Sequence, residues 1–174
     1  MASFALSLEA SYRLLSSGPR VNFSNAFSAG RRASRRLRLS RSGITFFLGN
    51  RALYAISIYA TAKLYEFFGA RALCQRLEEF CHMELFSLKT GDAVNIFEGF
   101  DPMKIGRTLA KSLADDGYDS SLAATGRLGK SESVFAALFA TQLAVLRWAR
   151  ESNMVRPYLS RARRKLALSD SMIY

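Results

Sequence analysis

The segment Ala124-Thr125-Gly126-Arg127-Leu128-Gly129-Lys130-Ser131 has the residue types and spacing of a phosphate-binding loop, with Ala in place of the first glycine. In such a loop, backbone N–H groups cradle phosphate oxygens, the Lys reaches the β and γ oxygens, and the Ser hydroxyl holds magnesium. The motif also requires a buried apolar strand ahead of it and a later apolar strand ending in an Asp. Asp115–Ala123 reads Asp-Asp-Gly-Tyr-Asp-Ser-Ser-Leu-Ala, which predicts a loop, and the 43 residues after Ser131 offer no such Asp. The segment is therefore expected to be a flexible loop ending in a helix cap. Only the helix N-terminus keeps a capacity for an anion or a lipid phosphate.

Other reactive side chains are sparse. Cys74, Cys81 and His82 form a set of three, whereas a structural zinc site takes four ligands. If both thiols lie on one helix they are about 10 Å apart along it, too far for a disulfide, and are expected to face the core. Asp115, Asp116 and Asp119 resemble the start of a calcium loop, but its twelfth position is Gly126 where a Glu is needed. His82 is the sole His, and no Ser/His/Asp arrangement forms around it. Arg31-Arg32-Ala33-Ser34 fits a basophilic kinase site, a pattern that arises easily in Arg/Ser-rich sequence. These absences predict no catalytic residue, no cofactor, no metal site, and a chain that is not an enzyme.

Charge supplies the remaining candidates. The 174 residues carry a net charge of +11, distributed unevenly. Residues 1–42 contain eight Arg and ten Ser against one acidic residue, Glu9, whereas residues 43–146 hold ten basic and eleven acidic groups. After residue 146, Arg147, Arg150, Arg156, Arg161, Arg163, Arg164 and Lys165 face only Glu151 and Asp170. Arg147, Arg150, Arg161, Arg163, Arg164 and Lys165 are read as a binding cluster for phosphate, anionic lipid headgroups or an acidic partner surface, since Arg suits bidentate contact with phosphate and carboxylate. Its position after an apolar helix favours lipid or a partner subunit, with nucleic acid second.

The elements that would carry these groups read as helices. Residues 44–68 and Val134–Ala149 are strongly apolar, and residues 70–86 have the period of an amphipathic helix. Residues 103–113 predict a short helix and Tyr158–Leu168 a basic terminal one, with loops at 87–100 and 115–130. From Arg51 to Lys63 a helix rises about 18 Å, so a bilayer is spanned only if both charged heads snorkel outward. Tyr54, Tyr59, Tyr65 and Trp148 would then be interfacial aromatics.

The expected fold is accordingly all-α: a helical hairpin of two long, marginally transmembrane helices, amphipathic helices beside it, and an extended basic N-terminal arm. The expected divisions are a Ser/Arg-rich arm or mitochondrial transit peptide over 1–42, a helical domain over 43–155, and a basic helix and tail over 156–174. The implied function is a non-catalytic accessory subunit of a mitochondrial inner-membrane complex, a respiratory-chain complex or the ATP synthase, with matrix-facing termini. It would pack against other subunits and lipid. The alternative is a mitochondrial ribosomal protein whose basic ends contact rRNA. The identity of the host complex, cleavage of residues 1–42 and the identity of any lipid are beyond this reading.

Overall fold

The computed structural model of the chain describes residues 21–99, 103–125 and 128–173. Four parallel strands, β1 (Thr45–Gly49), β2 (Ala72–Gln75), β3 (Ala93–Glu98) and β4 (Asp119–Ala124), form one sheet in the order β2-β1-β3-β4. Thr45 of β1 pairs in register with Ala72 of β2 and Ala93 of β3, and Ala93 in turn with Asp119 of β4. Helices α1 (Phe23–Ser34), α2 (Ala52–Phe68), α3 (Leu77–His82), α4 (Ile105–Asp115) and α5 (Lys130–Glu151) surround the sheet. Two further helices, α6 (Tyr158–Arg161) and α7 (Arg163–Ile173), follow.

Strand alternation divides the interior into two cores. Phe47 and Phe97 point to one face, their rings stacked at 6.1 Å, and pack with Ala26, Ile56, Leu64, Phe135, Leu138 and Trp148 from α1, α2 and α5. Phe46, Leu48, Val94 and Ile96 point to the other, against Leu77 and Phe80 of α3 and Leu113 of α4. β1 and β3 are buried at every position, as strands covered on both faces must be.

The all-α hairpin is thus overturned. The apolar run 44–68 is a buried strand followed by a helix, divided at Gly49-Asn50-Arg51, where Arg51 takes a positive φ of 53°. A short apolar run covered on both faces lacks alternation, so periodicity cannot separate it from a helix. The stretch 70–86, expected as one helix, holds β2, α3 and a 3-10 turn, and the two stretches expected as loops contain β3 and β4. Among the described residues, no helix is long and apolar enough to cross a membrane. Trp148 is no interfacial anchor: it is buried, edge-on to Phe68 at 6.4 Å.

The extended arm is corrected over its described part, residues 21–42; residues 1–20 of the expected arm or transit peptide lie outside the described residues. Residues 23–34 are α1, which lies along α5 so closely that a Cβ on Gly30 would come within 2.6 Å of the Ala136 carbonyl oxygen and 2.7 Å of Phe139 Cβ. Phe23 and Phe27 meet Phe135 and Phe139 edge to face at 4.9 and 5.5 Å. The chain then crosses the sheet at residues 37–40. There the fully buried amide of Asn95 accepts from the Arg38 N–H (2.7 Å) and from Ser121 Oγ (2.9 Å), and donates to the Arg38 carbonyl (2.9 Å).

Candidate functional site

The strand order fixes where a ligand can sit. The chain leaves β1 toward β2 on one side, then crosses back to place β3 on β1's other side. Beyond the carboxyl ends of β1 and β3 the connections diverge, and such a switch point leaves a crevice. Among the described residues it is bordered by residues 49–51, by Gly99 after β3, and by Thr125, Leu128 and Gly129 ahead of α5. A Cβ on Gly99 would lie 3.4 Å from Leu53 Cδ1 and 3.5 Å from Ser133 Cβ, so the first turns of α2 and α5 converge on the end of β3.

Each wall has a local cause. Gly49 packs against α2 so tightly that a Cβ would approach the Leu53 carbonyl oxygen to 2.6 Å. Arg51 then turns with φ 53° and ψ −129°, a region that penalises any side chain. Asn50 Oδ1 accepts from the Leu77 N–H at 3.1 Å, tying this loop to the one after β2. On the other wall, Thr125 N–H and Oγ1 donate to the Glu98 carbonyl at 2.7 and 3.2 Å, and Ser133 Oγ donates to the Thr125 carbonyl at 3.2 Å.

The electrostatics of this edge are inverted relative to ordinary helix starts. A helix N-terminus carries a partial positive charge and is usually capped by Ser, Thr, Asp or Asn with acidic residues in the first turn. Here α2, α4 and α5 start from Arg51, Lys104 and Gly129, none of which caps with its side chain, and Lys130 is the first residue of α5. The first turns of α2 and α4 have no acidic residue, and the Glu132 carboxylate of α5 accepts instead from the Asn22 N–H at 2.9 Å. At α4 the buried Glu98 carboxylate serves as a built-in anion, accepting from the Arg107 N–H at 2.7 Å with the Arg107 guanidinium 3.9 Å away. The first turn of α2, preceded by Arg51, has no acidic residue, and the one carboxylate in the first turn of α5, Glu132, is engaged by the Asn22 N–H. That arrangement suits an anionic group such as a phosphate.

Three comparisons bear on this geometry. No protein-family model matches the sequence, and no curated protein matches it significantly. Solved structures do match. A phosphosugar isomerase of Bacteroides fragilis involved in capsule formation superposes with a TM-score of 0.57 at 13% identity, over 84% of this chain and 92% of that one. The fold is that of phosphosugar isomerase domains. Glucosamine-6-phosphate deaminase from Thermotoga maritima gives 0.56 at 17% identity over 76% of this chain, and the tagatose-6-phosphate ketose/aldose isomerase of Escherichia coli gives 0.57 at 15% over 72%. The chain spans 42% of the deaminase and 40% of the ketose/aldose isomerase.

These neighbours overturn the accessory-subunit reading and its ribosomal alternative. The fold is shared with a deaminase and an isomerase, so the expectation of a non-enzyme is corrected with them. The inner-membrane placement is overturned by this likeness, and among the described residues no helix is long and apolar enough to span a membrane.

The residues singled out in the sequence are scattered. The phosphate-loop-like segment was set aside for want of a preceding strand, yet β4 ends at Ala124 and α5 begins at Lys130, which is strand, loop and helix after all; Gly126 and Arg127 lie outside the described residues. Polar Ser120 and Ser121 disguised that strand, their hydroxyls donating to the Ala110 carbonyl and Asn95 Oδ1 at 2.8 and 2.9 Å. Arg147 is structural: its Nη2 donates to the Ser34 and Leu37 carbonyls at 3.2 and 2.8 Å, and Nη1 lies 3.6 Å from Glu151. Arg150 is exposed near that end of α5, while Arg161, Arg163, Arg164 and Lys165 lie exposed on or beside α6 and α7. Lys165 donates to Tyr158 Oη at 2.8 Å, which raises its pKa. Arg147 is thus engaged within the chain, while the other five residues of the cluster are exposed.

Cys74 lies on β2 and Cys81 on α3, both free, and the exposed His82 ends α3. Among the described residues no group of three His, Cys, Asp or Glu could hold a metal. Ser34 of the kinase-like motif is buried, its hydroxyl donating to the Arg31 carbonyl at 2.9 Å.

Proposed function

We propose that the chain binds a phosphorylated sugar at the carboxyl edge of the sheet, with the phosphate between the first turns of α2 and α5. The observation that carries this is the convergence of those two turns on Gly99, with Arg51 ahead of an α2 first turn that has no acidic residue and Lys130 opening α5. Structural neighbours named for reactions on glucosamine 6-phosphate and tagatose 6-phosphate supply the ligand class. Backbone N–H groups at the two turns would orient the phosphate, and the Lys130 ammonium and Arg51 guanidinium would neutralise it.

Calorimetric titration with both 6-phosphates, the unphosphorylated sugars and inorganic phosphate tests the proposal. Saturable binding of a 6-phosphate, absent for its parent sugar, is the expected result. Lys130→Ala should weaken it by about ten- to a hundredfold, as loss of a charge-assisted contact does. Equal binding of a sugar and its phosphate, or no binding of either, would overturn the reading.

A further inference from the structure

The opposite edge of the sheet carries the densest charge in the described chain. Arg31, Arg32, Arg35, Arg36, Arg38 and Arg41 fall within eleven residues that contain no acidic group and no Lys, and all six are exposed. Helical spacing puts 31, 32, 35 and 36 on one arc of α1 and its C-terminal turn, opposite the buried Ala26, Gly30 and Ala33. The two remaining arginines continue the strip along the extended chain, which is pinned to the amino ends of the strands. The Ser40 N–H donates to Thr45 Oγ1 at 3.0 Å, and Ser40 Oγ donates to the Gly91 carbonyl at 2.6 Å.

Among the described residues only Arg38 has a carboxylate partner, Asp119 at 3.5 Å, and both groups are more than half exposed. The Asp92 carboxylate accepts from the Ile44 and Lys89 N–H groups at 2.7 and 2.9 Å, and Glu151 is 3.6 Å from Arg147. Placement at a helix C-terminus accounts for Arg31 and Arg32, which complement the dipole there. It does not account for Arg36, Arg38 and Arg41, which lie beyond the helix.

We propose that this arginine strip is a binding surface for the phosphodiester backbone of a nucleic acid. The residues between the arginines choose among polyanions. Ala33, Ser34, Leu37 and Ser40 are buried, and Leu39 is half-buried with its side chain packed against the core, so the arginines are not interleaved with exposed apolar side chains that would enter a lipid interface or form the dry centre of a protein interface. No aromatic residue lies between Arg31 and Arg41, so bases find no stacking platform. What remains is a row of guanidiniums suited to successive phosphates, and contact is therefore independent of base sequence. The strip lies across the sheet from the proposed sugar-phosphate crevice, so the two can be occupied together and tested separately.

Fluorescence anisotropy of the full chain with labelled duplex DNA, duplex RNA and single strands, over a salt series, tests the surface. The five unpaired arginines predict a log K against log salt slope of about −4 to −5 on duplex DNA. The triple variant R35Q/R36Q/R41Q should flatten that slope by about 2 to 3, with unchanged near-ultraviolet circular dichroism and unchanged sugar-phosphate titration. R161Q/R163Q/R164Q removes equal charge at the C-terminus and should leave the slope in place. Equal losses in the two triple variants would overturn the strip in favour of diffuse charge. So would preferential binding to phosphatidylserine vesicles, or to polyglutamate at matched charge. The DNA, RNA and single-strand arms show which backbone the spacing fits best.

Discussion

The two edges of the sheet treat their polar groups in opposite ways. At the amino edge, Ser40, Asp92 and Asn95 reach across sequence to backbone groups of other segments, and these bonds hold residues 37–44 onto the strands. At the carboxyl edge, α2, α4 and α5 start without side-chain caps, Arg51 and Lys104 ahead of α2 and α4 hold a positive φ, and the first turns of α2 and α4 have no acidic residue of their own. The first edge is organised for stability. The second carries local cost, which a phosphate bound as proposed above would offset.

Substitutions should therefore change stability in opposite directions at the two edges. The largest effect is expected for Asn95→Leu, which strips partners from the part-buried Arg38 N–H and carbonyl and from the buried Ser121 hydroxyl; at about 1–3 kcal/mol for each orphaned group, chemical denaturation should show a loss of several kcal/mol. Asp92→Ala orphans the Ile44 and Lys89 N–H groups nearer the surface and should cost about 2 kcal/mol, read as a lower urea midpoint at unchanged slope. Arg51→Gly should do the reverse, gaining about 1 kcal/mol by releasing the strained backbone while weakening the sugar phosphate in titration. If Arg51→Gly destabilises and leaves ligand affinity intact, the contrast between the edges fails. The smallest effect concerns Cys81, whose thiol pKa is raised by burial first and by the Glu78 carboxylate second. Its alkylation by iodoacetamide should titrate above the ordinary thiol range, and Glu78→Gln should lower that midpoint slightly, because one like charge is removed and the burial stays.

Some of the fold was legible and some was hidden for identifiable reasons. α5 covers the strongest apolar segment of the sequence, and α4 covers the short helix expected after residue 103. β1 was absorbed into a helix because its five residues are buried on both faces and carry no alternation. β3 and β4 were missed because Asn95, Glu98, Ser120 and Ser121 look like loop residues until their partners are known. The phosphate-loop-like segment reads as a plain loop in the sequence because the strand ahead of it, β4, carries Ser120 and Ser121 in place of apolar residues.

The sequence by itself determined composition and partition: a neutral, apolar centre, basic ends, and the apolar helical segment that became α5. Those are sums and local periods, and they need no partner. Tertiary structure alone decided that the apolar segments cover a parallel sheet and not lipid, that Arg147 fastens α1 while Arg35, Arg36 and Arg41 stay exposed, and that the starts of α2 and α5 meet. Pairing between distant strands sets each of these, because it determines which side chains find a partner and which face solvent.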